Sequence, residues 1–267
     1  KRPEEPAPAV AVEERREELA RLKIGEPIAA KPSCFAVIGA TAKDAKVPVM
    51  NDETMALIEQ KASKMTGPTT DQQLEAASRE MLRVLLKQEL VGVPSSVLLF
   101  VGNHREGAVA LALGRGLANR GVSVAAYFVS NAAVLGDHVA FQKKLFVSSG
   151  GKWLGDWGET SVVEEHQMIV DAVLGRELSE RPSLKLDVGK QPQQPFIVAV
   201  ERPSAELKPD VCFTLAFPKA YLFDVNCPIY LVDINLPMAA YKSYAGDFDP
   251  AAVYGCELSV RLRRLVK

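Results

Sequence analysis

The stretch from residue 97 to residue 129, VLLFVGNHREGAVALALGRGLANRGVSVAAYFV, decides the fold. Val97-Leu98-Leu99-Phe100-Val101 is a continuous apolar run of strand length ended by Gly102, which predicts a strand covered on both faces. Gly107 to Leu117 reads as the helix that follows. Gly121 stops it, and Val122 to Val129 returns as a second strand. Strand, helix and strand within about thirty residues make a β-α-β unit, which crosses over right-handed and leaves its strands parallel.

The alternation extends on both sides. Upstream, Val47-Pro48-Val49-Met50 leads into a helix carrying Met55, Leu57, Ile58 and Ala62, capped by Asn51 or Asp52. A second helix is predicted from Thr70, whose hydroxyl and Gln73 have capping-box spacing, through Leu74, Ala77, Met81, Val84 and Leu85. Downstream come a helix from about Asp137 to Val147, a short strand ending at Asp171, and strands at Phe196 to Val200, Val211 to Leu215 and Ile229 to Ile234. Such alternation defines an α/β chain of the doubly wound, nucleotide-binding type, with helices on both faces of a mostly parallel sheet.

The chain has 267 residues, of which 48% are hydrophobic, enough for one well-formed core. No apolar run approaches the ~18 residues of a membrane helix, so a soluble protein without a membrane partner is expected. A net charge of -1 supplies no whole-molecule field for nucleic acid, which leaves such binding to a local cluster. Cys34, Cys212, Cys227 and Cys256 are widely spaced and only three histidines accompany them. Reduced cytosolic thiols are expected, with neither a metal site nor a disulfide framework.

Residues 1–45 read as a Pro-rich and charged linker or extension, with a marginal helix in the charged segment from Glu13 to Lys23. Regular structure is expected from near Val47, residues 46–267 forming the domain, and Arg181 to Pro195 reads as an exposed loop. The opening Lys1-Arg2-Pro3 has no initiator Met, so the chain is expected to be part of something longer.

In a doubly wound sheet, ligands bind beyond the carboxyl ends of the strands. Three turns qualify: Gly102 to Gly107, Asp171 to Gly175, and Glu201 to Ala205. The first, with Gly102, Asn103 and Gly107, could hold a phosphate on helix amides, or be a plain structural turn; its spacing is neither Walker A nor the dinucleotide fingerprint. Asp171 is a candidate acid, base or ligand, and equally a helix cap. Glu201 and Ser204 place a carboxylate and a hydroxyl at the matching point of another strand, where surface turn chemistry explains them as well. His104, His138 and His166 have no recognisable triad partners and are expected on the surface. Arg105, Arg120, Lys143, Lys144 and the C-terminal Arg261, Arg263 and Arg264 could meet RNA phosphates or form ordinary solvated faces.

The order of several segments resembles the YjeF N-terminal domain family from Val47 to the C-terminus. They are Val47-Pro48-Val49-Met50, Val97 to Gly102, Gly114 to Val124, Asp171-Ala172-Val173-Leu174-Gly175, Val200 to Ser204 and Ile229 to Ile234. The resemblance implies a Rossmann-like three-layer α/β/α sandwich. Active members are epimerases of hydrated NAD(P)H with Asn-Asn-Gly-Gly-Asp-Gly in the first turn. Alignment from Arg115 and Leu117 puts Arg105 and Glu106 at the paired Asn positions and Val109 at the Asp position, so the potassium ligand and substrate contacts of that loop are missing. Asp171 matches the aspartate near potassium, Ser204 a serine of the third turn, and Glu201 replaces that turn's catalytic aspartate.

Within the family, Gly114 to Val124, Ile229 to Pro237 and Tyr254-Gly255-Cys256 are similar to the branch that forms the C-terminal domain of an enhancer of mRNA decapping. That branch implies a non-catalytic scaffold that dimerises, bridges decapping-complex proteins and RNA, and acts in the cytoplasm within processing bodies. Asp171, Glu201 and Ser204 are then vestigial catalytic positions. No cofactor is required, and Gly102, Asn103, Gly107, Asp171 and Ser204 would retain at most vestigial nucleotide binding. The alternative is a divergent epimerase or nucleotide sensor using Asp171, Glu201 and Ser204.

Overall fold

A computed structural model of the chain describes residues 34–38, 45–87, 92–130, 132–158, 166–175 and 194–264. Ten strands form one sheet in the order β2-β1-β10-β9-β8-β7-β6-β3-β4-β5. In chain order they are β1 (Cys34–Ile38), β2 (Lys46–Pro48), β3 (Ser96–Val101), β4 (Ser123–Phe128), β5 (Lys152–Asp156), β6 (Met168–Ala172), β7 (Phe196–Val200), β8 (Val211–Leu215), β9 (Ile229–Val232) and β10 (Ser259–Arg264). Among the described residues the helices are α1 (Asp52–Met65), α2 (Thr70–Leu85), α3 (Arg105–Ala118), α4 (Asp137–Ser148), α5 (Met238–Ala245) and α6 (Pro250–Tyr254), with a 3-10 turn at Ala220–Phe223. Strands β3 to β9 pair in parallel, and β10, β1 and β2 close one side antiparallel. The chain is a Rossmann-like three-layer sandwich.

The alternation of side chains along β3 shows why its run had to be wholly apolar. Val97, Leu99 and Val101 join the large core beneath α2, α3 and α4, while Leu98 and Phe100 join a second core with Ile169, Val173, Leu174 and Leu207. Strand β3 pairs with β4 on one side, Val97 opposite Val124, and with β6 on the other, Val97 opposite Met168. The chain therefore runs outward through β4 and β5, then returns across β3 to begin β6. That reversal leaves a crevice at the carboxyl ends of β3 and β6, the switch point where ligands collect in such sheets.

Local sequence explains the helix starts. Asn51 caps α1 by accepting the Thr54 amide at 2.7 Å. The capping box of α2 is built by Thr69 and Gln72, one residue earlier than the predicted Thr70 and Gln73, because Gln72 rather than Gln73 reaches back to the cap amide, at 2.8 Å. Helix α3 begins at Arg105, two residues before the expected Gly107, because His104 supplies the cap. Gly114 lets α3 lie close on the sheet: a Cβ there would meet Leu99 Cδ1 at 2.5 Å.

Among the described residues, regular structure is already present at Cys34, ahead of the expected start near Val47. The apolar run Cys34-Phe35-Ala36-Val37-Ile38 forms β1 between β2 and β10, and Phe35 is fully buried against Phe223, ring centroids 4.5 Å apart. The Pro-rich surroundings of this run hid it. The marginal helix expected within Glu13 to Lys23, and Arg181 to Gln193 of the expected loop, lie outside the described residues. Among the described residues no helix is long and apolar enough to cross a membrane.

Candidate functional site

The carboxyl ends of β3, β6 and β7 bring together Asp171, Ser204 and the turn containing His104. Asp171, near the end of β6, is completely buried. One carboxylate oxygen accepts both the Ser204 amide and the Ser204 hydroxyl at 2.7 Å, and the other accepts the Val173 amide at 3.3 Å. Burial raises the acid's pKa, and the Ser204 and Val173 hydrogen bonds oppose that rise. Asp171 is thus not a helix cap; it ties the β6 turn to the β7 turn.

Glu201 follows β7 with φ of 62°, a left-handed conformation uncommon for a side chain of this size. Its carboxylate is turned into the protein and is 1% exposed, not on a surface turn. Oε1 accepts from the Leu215 amide at 2.8 Å and from Lys219 Nζ at 2.7 Å; Oε2 accepts from the Thr214 hydroxyl at 2.9 Å and the Tyr221 hydroxyl at 3.1 Å. Lys219 also donates to Leu215 O and is itself buried. Burial, with the Glu201 charge beside it, pushes the Tyr221 hydroxyl well above its ordinary value. A carboxylate with four donors already on it has no lone pair directed at a substrate.

His104 is a structural member of the first turn rather than a surface residue. Its Nε2 donates to Val173 O at 2.8 Å, and its Nδ1 lies 3.0 Å from Glu106 Oε2 and 3.4 Å from the Gly107 amide. The ring fills the space between two glycines: a Cβ on Gly102 would fall 2.1 Å from Nε2, and one on Gly175 2.6 Å from Cγ. Burial pulls the imidazole pKa down, but the hydrogen bond and charge of Glu106, with the Val173 carbonyl, outweigh it and the net shift is upward. Asn103 bridges elsewhere, donating to Val134 O at 2.9 Å and accepting the Gly136 amide at 2.7 Å. Gly107 approaches the Gly102 carbonyl so closely that a Cβ would lie 2.1 Å from it.

Arg105 pairs with Glu59 of α1 and is largely buried, its Nε and Nη2 without protein partners. Val109 is completely buried. Of the three positions aligned with the family's loop, Arg105 and Val109 offer no oxygen ligand to a potassium ion, and Glu106 Oε2 lies 3.0 Å from His104 Nδ1. Beside the Asp171 and Ser204 pair lies a cavity of about 600 Å³ bordered by Arg202, Ser204, Lys208, Tyr221 and Asn226. There Arg202 stacks on the Tyr221 ring at 4.1 Å.

The expected RNA contacts do not gather. Arg105 is largely buried at the start of α3, whereas Arg120 is exposed beyond its far end, its Nη1 on Gly116 O at 2.8 Å. Lys143 lies over the Trp153 ring at 4.2 Å, and Lys144 is exposed beside it on α4. Sequence reasoning passed over Lys219, Thr214 and Tyr221. The available signal was an opposite charge at the next strand's end: Glu201 closes β7, and Lys219 follows β8.

A twisted, mostly parallel sheet with a strand-reversal crevice, and a buried carboxylate tied to a serine at its mouth, defines the doubly wound class that holds nucleotides at its strand ends. Within that class the chain belongs to the family described as YjeF-related protein N-terminus, whose profile matches residues 70–220. It is 28% identical to the NAD(P)H-hydrate epimerase of Dehalogenimonas lykanthroporepellens, in an alignment covering 73% of this chain and 83% of the other. Its fold is similar to the crystal structure of yeast YNL200c, with a TM-score of 0.61 and 17% identity, over 81% of this chain and 99% of that one.

Proposed function

We propose that this is a non-catalytic dimerisation and scaffold domain of an mRNA decapping activator, working in the cytoplasm within processing bodies and requiring no cofactor. The observation that carries the reading is the state of Glu201. At the position of the family's catalytic aspartate it is held by Lys219, Thr214, Leu215 and Tyr221, and so is not poised for proton transfer. The first turn points the same way, since Arg105, Glu106 and Val109 stand at the aligned places where an active loop would hold potassium and substrate, with Arg105 paired to Glu59 and Val109 buried. The decapping branch is supported by the segments Gly114 to Val124, Ile229 to Pro237 and Tyr254-Gly255-Cys256.

In such a domain self-association is the activity, because two linked copies raise the effective concentration of decapping-complex proteins and RNA around one another. Sedimentation at micromolar concentration, paired with an assay of hydrated NADPH in the presence of potassium, tests the reading. A dimer without turnover is expected. A strict monomer, or turnover abolished by Asp171→Ala, overturns it.

A second reading, a divergent epimerase or nucleotide sensor, draws on the cavity of about 600 Å³ beside Asp171 and Ser204 with its stacked Arg202 and Tyr221. Calorimetric titration with NADPH distinguishes a sensor, which binds without turnover, from both alternatives.

A further inference from the structure

Away from the crevice, α2 and the turn after α3 frame a groove of about 830 Å³. Its floor is apolar: it is lined by Ala76 and Leu82 of α2, Leu86 at the helix's C-cap, and Leu258, which is 52% exposed just ahead of β10. Gly116 brings α3 against this floor, since a Cβ there would sit 2.8 Å from Leu82 Cδ2. The rim is cationic, lined by Arg79 and Arg83 of α2, Lys87 just past its end, and Arg120 beyond the end of α3.

The acidic groups of the groove are largely spent. Glu80 is buried beneath the rim, holding Arg83 at 2.6 Å and the Ser259 hydroxyl at 2.6 Å, and Glu257 takes the other side of Arg83 at 3.2 Å. Asp233, at one end, accepts the Asn235 amide. Arg79, Lys87 and Arg120 have no carboxylate partner among the described residues. An occupant must therefore bring negative charge for the rim and aliphatic surface for the floor.

Two polymers carry negative charge, and the lining separates them. Single-stranded RNA is held through bases stacked on aromatic rings, whereas none of the described residues lining this groove is aromatic. Leucines under a cationic rim instead match an acidic peptide with aliphatic anchors. We propose that the groove docks such a segment of a partner protein, its carboxylates on Arg79, Lys87 and Arg120 and its apolar side chains on Leu82, Leu86 and Leu258. None of Asp171, Glu201, Ser204 or His104 lines this groove, so the proposal stands apart from the fate of the strand-end crevice.

The test is fluorescence anisotropy of the whole chain with a labelled peptide, Glu-Leu-Asp-Glu-Leu-Leu-Asp-Glu, against oligouridylate as competitor. Binding that weakens with salt, is not displaced by the RNA, and falls about tenfold in Arg120→Glu and in Leu258→Asp is the expected result. Both positions are exposed, so unchanged thermal unfolding shows that each variant is folded. Absence of peptide binding, or displacement of the peptide by oligouridylate, overturns the proposal. So does a groove closed by a second copy of the chain, revealed if the two variants turn a dimer into a monomer.

Discussion

Lys219 Nζ lies 2.7 Å from Glu201 Oε1, and both side chains are within 3% of complete burial. A buried ion pair gains little over an apolar pair of the same shape, because each charge loses its hydration, yet removing one partner strands the other. Lys219→Met therefore costs about 3–5 kcal/mol of stability, measured by urea unfolding. Adding Glu201→Gln to that variant recovers most of the loss. If the double variant is as unstable as the single one, the pair is not the element that holds these two turns together.

His104 makes stability depend on pH. Neutral, the ring donates from Nε2 to Val173 O and turns its Nδ1 lone pair toward the Gly107 amide and the Glu106 carboxylate. Protonated, Nδ1 donates to Glu106, which is why the folded pKa stands above the ordinary 6.5. A raised pKa contributes stability that is fully present below 6.5 and is lost as pH rises through the folded value. Unfolding midpoints across that window fall in the parent chain and stay nearly level in His104→Gln. Equal slopes would remove His104 as the titrating group.

Gly114 is a packing residue. Alanine there gains up to about 1 kcal/mol of helix propensity. Its Cβ would lie 2.5 Å from Leu99 Cδ1 and 3.2 Å from Phe146 Cε2, both in fully buried side chains that cannot swing away. Overpacking of this kind costs about 1–3 kcal/mol, so Gly114→Ala is destabilising overall. Thermal unfolding measures it, and a rise in midpoint would mean that α3 can lift off the sheet.

The sheet was legible because strands buried on both faces write their burial as unbroken apolar runs: Val97 to Val101 and Val211 to Leu215 stand where they were read. The antiparallel strands were not. Strand β1 has an apolar run of five beside prolines, and β10 carries Arg261, Arg263 and Arg264 on a short strand whose partners are distant in sequence. In the site, the positions at strand ends could be read, but not their directions. Glu201 looked like turn chemistry because nothing local announces a left-handed φ in glutamate, and that dihedral sends its carboxylate inward to Lys219. Nothing near His104 in the sequence announces its burial, because its partner, the Val173 carbonyl, is 69 residues away.

The contact between Ser204 and Asp171 yields the most discriminating prediction. The hydroxyl is one of three donors on a completely buried carboxylate, and it works against the burial that raises the acid's pKa. Ser204→Ala removes that donor, so the folded pKa climbs further. A carboxyl with a raised folded pKa favours the folded state at low pH and loses that contribution as pH rises through the folded value. The variant is therefore close to the parent in stability under acid conditions where Asp171 is protonated, and weaker by about 1–3 kcal/mol once the carboxylate must ionise in place. Urea unfolding of both proteins at acid and at neutral pH measures the difference. A deficit independent of pH would show that Ser204 matters for packing alone, and that the Asp171 proton is not coupled to the β7 turn.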